Sequence, residues 1–130
     1  MENFSNRPRL ATRLDLAVEA TAALRGDANI ELPGISEQVR RKDGVCVHTV
    51  EVLNQQGARQ INKAVGRYIT CDIPKVADDD QLGRVAAVLA EELSSLLPEL
   101  RDGTLLVVGL GNHDAIPDAL GPRTVELTFA

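Results

Sequence analysis

The run Thr104-Leu105-Leu106-Val107-Val108-Gly109 constrains the fold more than any other segment. It is short enough for a strand, too short for an ordinary helix, and has no polar face to offer to water. It is therefore expected to be a central strand buried on both faces, which requires a layer of structure above and below it. Two further segments have strand character. Val45 to Val52 (VCVHTVEV) is rich in β-branched residues between Gly44 and Asn54, and Arg67 to Ile73 (RYITCDI) lies between Gly66 and Pro74.

Between and around these runs the pattern is helical. Leu14 to Leu24 is a good helix-forming stretch that Gly26 can end, and Gln55 to Ala64 is compatible with a short helix. Asp78-Asp79-Asp80 precedes apolar residues at Leu82, Val85, Ala86, Leu89, Leu93, Leu96 and Leu97, the spacing of a helix with one buried face. The acidic start suits the positive end of the helix dipole, and Pro98 is placed to stop the helix. Residues 27–44, with Pro33, Gly34 and the charged group Arg40-Arg41-Lys42-Asp43, read mostly as a connection, with at most a short strand near Val39 and the charges as a solvated turn. The order of elements argues for an α/β layered sheet with helices on its faces, the active edge following the last strand. Residues 1–15 read as a flexible arm and residues 16–130 as part of a single α/β domain.

Composition narrows the function. Lys and Arg number 14 against 19 Asp and Glu, a formal charge of −5, so the positive field needed to neutralise many phosphates is missing and nucleic acid is not an expected partner. No run approaches the roughly 20 apolar residues of a membrane span, and the first 20 residues have no signal-peptide core. A soluble, cytoplasmic protein is expected. Aromatic residues make up only 2% of the chain, so the core must be aliphatic. Cys46 and Cys71 each lie in a strand-like run and read as small apolar fillers. Cys46, His48, Cys71 and His113 lack the closely spaced ligand pairs of structural zinc sites, so no metal site is expected.

In open α/β sheets chemistry gathers at the carboxyl ends of the strands, which directs attention to residues 109–122. Gly109-Leu110-Gly111 permits a tight turn, but a dinucleotide fingerprint needs glycine where this chain has Asp114, and no Gly-Lys-Ser/Thr follows to make a phosphate loop. The loop does hold one carboxylate, Asp118, bracketed by Pro117 and by Ala119-Leu120-Gly121-Pro122. It stands where a helix would begin, so it is either a helix-capping aspartate or a working acid.

Gly66-Arg67-Tyr68-Ile69-Thr70, Val107-Val108-Gly109-Leu110-Gly111-Asn112 and Pro117-Asp118-Ala119-Leu120-Gly121-Pro122, in this order, resemble the germination proteases of spore-forming bacteria. Arg13 to Glu19 is similar to the segment where that family removes its propeptide. The resemblance implies that Asp118 is one of two catalytic carboxylates, with Gly109, Gly111, Asn112 and Gly121 as the backbone of the active loop. The second carboxylate lies well downstream in the family, beyond Ala130, so this chain is expected to be the front portion of the peptidase domain and incomplete at its carboxyl end. Asp15-Leu16-Ala17 has the family's order around a cleaved bond, making Asp15–Leu16 the implied self-processing site, although Thr12 stands where the family's substrates favour an acidic residue. His113, Asp114 and Ile116 depart from the family's loop. Further implications are small acid-soluble spore proteins as substrate, a homo-oligomer when full length, no organic cofactor, and action in the spore interior.

An aspartic mechanism needs two carboxyl groups that differ in protonation, one taking a proton from water and one polarising the carbonyl. Asp118 alone supplies only the base, Asp114 is a weak candidate for its partner, and the chain by itself is expected to be inactive. Two alternatives stand beside this reading. The pattern Gly-x-Gly-Asn, then an acidic residue, then Gly is similar to metal-dependent hydrogenase-maturation peptidases, whose fold, of phosphorylase-like type, is related; there Asp118 would be a metal ligand. The other is a non-catalytic fragment or partner of a complete protease, associating through an unpaired sheet edge.

Overall fold

The computed structural model describes residues 16–26, 30–97 and 103–128. The chain divides into two compact units, residues 1–96 and 97–130. The first contains α1 (Ala17–Arg25), β1 (Ile35–Lys42), β2 (Val45–Val52), α2 (Gln55–Ile61), β3 (Gly66–Asp72) and α3 (Asp79–Leu96); the second contains a 3-10 turn (Ile116–Asp118) and α4 (Leu120–Thr128).

The sheet of the first unit is antiparallel, in the order β1-β2-β3. Its central strand is β2, whose valines point alternately to the two faces and are almost completely buried. On one face Val50 and Val52 meet Ala17 and Ala20 of α1 and Ile61 of α2; on the other Val45 and Val47 meet Val85 and Val88 of α3. Helices thus cover both sides, the layered α/β arrangement expected. The small residues Ala17, Ala20 and Thr21 form the buried face of α1, and the Thr21 hydroxyl donates to the Val18 carbonyl at 3.0 Å, which satisfies that buried hydroxyl. With so few aromatics the core is built from valine and alanine, each buried valine contributing about 1.5–2 kcal/mol through area removed from water.

Several expectations hold closely. β2 and β3 match the two strand-like runs, α2 occupies the intervening stretch, and α1 ends at Gly26. Others need correction. Residues 35–42 form a full strand where a connection was expected, because Asp43 and Gly44 adopt positive φ angles of 50° and 83° and close a two-residue hairpin joining Lys42 to its partner Val45. Arg40, Arg41 and Lys42 therefore lie on β1 and not in a solvated turn. Arg40 pairs with Glu91 and Glu92, and Lys42 with Glu91, tying β1 to α3.

That pairing also explains the orientation of α3. The leucine stripe Leu82, Leu89, Leu93 and Leu96 is exposed, while Val85, Val88 and Glu92 face the sheet. The buried face is displaced by about a quarter-turn from the stripe. Val85 and Val88 pack on Val45 and Val47, and Arg40 of β1 pairs with the buried Glu92.

The run 104–109 is the largest departure. It is extended but pairs with no strand among the described residues, and Leu105, Leu106 and Val108 are exposed. A strand exists only beside a neighbour that takes its hydrogen bonds. No other described segment of the second unit is a strand, so the role of a central strand buried on both faces belongs to β2 instead.

Candidate active site

The second unit is organised by close approaches of backbone to backbone. A Cβ on Gly109 would stand 2.3 Å from the Gly121 carbonyl oxygen, and one on Gly121 would stand 2.1 Å from the Leu110 oxygen. Gly111, at φ 138°, lies against the Asp118 carbonyl in the same way. These three glycines let the extended segment lie directly on the start of α4, which no larger residue permits. Asn112 locks the loop: its N–H donates to the Asp118 carbonyl at 3.0 Å, its carbonyl accepts from Ala115 N–H at 3.2 Å, and its side-chain oxygen accepts from Asp114 N–H at 3.0 Å. Pro117 is the middle residue of the 3-10 turn, and Asp118 N–H closes it on the Ala115 carbonyl at 2.8 Å. Ala119 is the buried pivot from which α4 departs.

Asp118 is thereby fixed through its main chain while its side chain stays uncommitted. Among the described residues no hydrogen bond or ion pair is formed by its carboxylate, and it does not cap α4. The residue is exposed and lines a groove of about 400 Å³ together with Val108, Gly109, Leu110, Gly121 and Thr124. A carboxylate whose main chain is fixed beside an open, largely apolar groove can take a proton from a water placed there. Asp114 is not brought into that arrangement. Its side chain is 97% exposed and turns toward His113 (3.7 Å), which in turn pairs with Glu126 of α4 at 3.2 Å.

The sequence model of the germination protease family matches residues 12–129. The chain belongs to that family. Similar relatives include the germination proteases of Clostridium tetani (40% identical over 119 residues), Caldanaerobacter subterraneus subsp. tengcongensis (41% over 119) and Bacillus subtilis (38% over 122). The matches cover 90%, 90% and 88% of this chain but 37%, 36% and 33% of the relatives, so the chain spans about a third of their length. This membership makes it a peptidase-family chain and leaves the hydrogenase-maturation reading of the loop without support.

Within the family framework, Gly109, Gly111, Asn112, Asp118 and Gly121 converge on one loop. Leu16 belongs to the other unit, where it is exposed and its extended backbone leads into α1; Asp15 lies outside the described residues. Thr124 and Val125 complete the groove and were not foreseen. Their spacing of three and four from Gly121 is the signal that could have found them, since those positions share a helix face. Of the potential zinc ligands considered from sequence, Cys46 and His48 lie 3.4 Å apart on one face of the sheet, whereas Cys71 points to the opposite, α3 face. No helix among the described residues is long and apolar enough to cross a membrane.

Proposed function

We propose that the protein is part of a germination endopeptidase of aspartic type in which Asp118 is one of two catalytic carboxylates. The observation that supports this reading is Asp118, fixed on the groove through its main chain while its carboxylate is engaged by no described residue. A structural capping aspartate would spend its oxygens on the amides of the following turn. The second carboxylate comes from outside the described residues. The 130 residues alone are inactive in this proposal, since an unpaired aspartate provides a base without the matching acid.

The rest of the reading follows from family membership. Small acid-soluble spore proteins are the substrates, the complete enzyme is a homo-oligomer of the spore interior, and both units belong to one peptidase domain, with a fold similar to that of the hydrogenase-maturation peptidases. Asp15–Leu16 is the self-processing bond of a zymogen. Its support is the order acidic, apolar, alanine in Asp15-Leu16-Ala17 and the exposure of Leu16 ahead of α1.

The test is a chimera in which residues 12–129 replace the matching segment of the Bacillus subtilis germination protease. The chimera should cleave an acid-soluble spore protein, and Asp118→Asn should abolish cleavage without changing the circular dichroism spectrum. Retained cleavage in the Asp118→Asn chimera would overturn the catalytic assignment. Cleavage of a peptide spanning residues 12–17 by the isolated chain would overturn its inactivity.

A further inference from the structure

The first unit holds a cluster that the protease reading does not use. Cys46 and His48 are two apart on β2 and so share a face, and Asp72 on β3 is the cross-strand partner of Cys46. The register therefore brings a thiol, an imidazole and a carboxylate together from positions up to 26 apart in sequence (72 − 46). His48 Nε2 lies 3.4 Å from Cys46 Sγ and 3.1 Å from Asp72 Oδ2, and all three donor atoms lie within 4.8 Å of one another.

We propose that Cys46, His48 and Asp72 form a three-ligand site for a thiophilic divalent cation of the zinc class. The distances are those of ligands around such an ion. With metal–sulfur and metal–nitrogen or –oxygen bonds of about 2.3 and 2.0–2.2 Å, the edges of a tetrahedron come out at about 3.3–3.6 Å. Two of the three edges are already close to that length, so small side-chain movements suffice to close the third.

Hydrogen bonding alone satisfies the cluster poorly. Neutral imidazole offers Nε2 as a donor or as an acceptor, not both, so a His48 N–H given to Asp72 leaves the Cys46 S–H without an acceptor there. A cation bonded to all three resolves that competition. On binding, the Cys46 S–H proton leaves to solvent and the metal–sulfur bond takes its place, so the thiolate and the Asp72 carboxylate together balance the two positive charges. Cys46 is buried, His48 half-buried and Asp72 exposed, which anchors the ion at the sulfur and leaves its fourth position open to water on the Asp72 side. By register Val39 and Arg41 of β1 flank His48 and Cys46 on this face, so the site has one apolar and one cationic neighbour, and Arg41 is itself exposed to solvent.

The site is independent of Asp118 and of catalysis. Its test is titration of the purified, tag-free chain with cobalt(II), read by the thiolate charge-transfer and ligand-field absorption of tetrahedral cobalt, followed by displacement with zinc. Stoichiometric binding is expected at one ion per chain, unchanged in Cys71→Ser, whose thiol lies on the opposite face. Cys46→Ser should remove the charge-transfer band, and Asp72→Asn, an exposed change that leaves the core intact, should weaken binding by about tenfold or more. Equal affinity of the Asp72→Asn and unaltered chains, or loss of the band in Cys71→Ser, would sink the assignment, as would absence of a tetrahedral spectrum.

Discussion

Gly121 and Gly83 show how differently one residue type can be used. Gly121 has no room for a methyl group, because its Cβ would overlap the Leu110 main chain, 2.1 Å from its oxygen, 2.7 Å from its nitrogen and 2.9 Å from its carbonyl carbon. Gly83, inside α3, has nothing within 4 Å of the same position. Gly121→Ala is therefore expected to destabilise the second unit by about 1–3 kcal/mol by forcing the loop off α4, and to lower cleavage by the chimera through displacement of Asp118. Gly83→Ala should raise stability by about 0.5–1 kcal/mol, since it only removes chain freedom from the unfolded state. Urea denaturation of both variants checks the signs. The bracketing of Asp118 by Pro117 and Gly121 was legible in the sequence because both residue types act locally on the backbone. The approach of Asp72 to Cys46 was not, because it depends on a strand register that no local signal spells out.

Elements were legible where a segment's own pattern decides its structure, as in β2, β3 and the existence of α3. What escaped was the pairing between elements. Asp43-Gly44 was the available hairpin signal for β1, overshadowed by the neighbouring charges, and the inward face of α3 is chosen by partners on β1 that its own periodicity cannot report. The Arg40–Glu92 pair is the most consequential of these contacts, as Glu92 is nearly buried. Arg40→Ala should cost about 2 kcal/mol by stranding that charge, whereas Glu92→Leu should be close to neutral, both read from chemical denaturation. Glu91 makes the exposed part of the network pH-sensitive. Its carboxyl is held below the ordinary value of 4.5, first by the hydrogen bond from Lys42, then by the charge of Lys42 and, more weakly, that of Arg40, with desolvation opposing. The unfolded chain binds this proton more readily than the folded one, so the stabilisation is present above the ordinary glutamate value and is lost as pH falls through the lower folded value. Denaturation midpoints of the unaltered chain and Glu91→Gln should differ at neutral pH and converge as the pH falls through the lowered folded value.

At the scale of the whole molecule the two units differ in how well they bury their apolar residues. The first has a continuous aliphatic core on both faces of its sheet. The second leaves Leu106, Leu110, Ile116, Leu120 and Leu127 about four-fifths exposed, at 79–86%. An ordinary monomer does not leave so many large side chains in water, and scattered single exposures do not account for five leucines and isoleucines in one short unit. Residues 104–109 add a segment that pairs with no strand among the described residues. The 130-residue chain is accordingly expected to self-associate in the micromolar range, seen as a concentration-dependent sedimentation coefficient and as binding of an apolar fluorescent dye. Leu106→Lys with Leu110→Lys should reduce both while leaving the helix signal and the cobalt spectrum of the first unit unchanged, because every ligand of that site belongs to β2 or β3. A chain that remains monomeric on concentration would remove the exposed side chains as an argument for a covering partner, including the non-catalytic role of docking on a complete protease. Suppression of self-association by the two lysines would locate the sticky surface on the same loop segment that leads into Asp118.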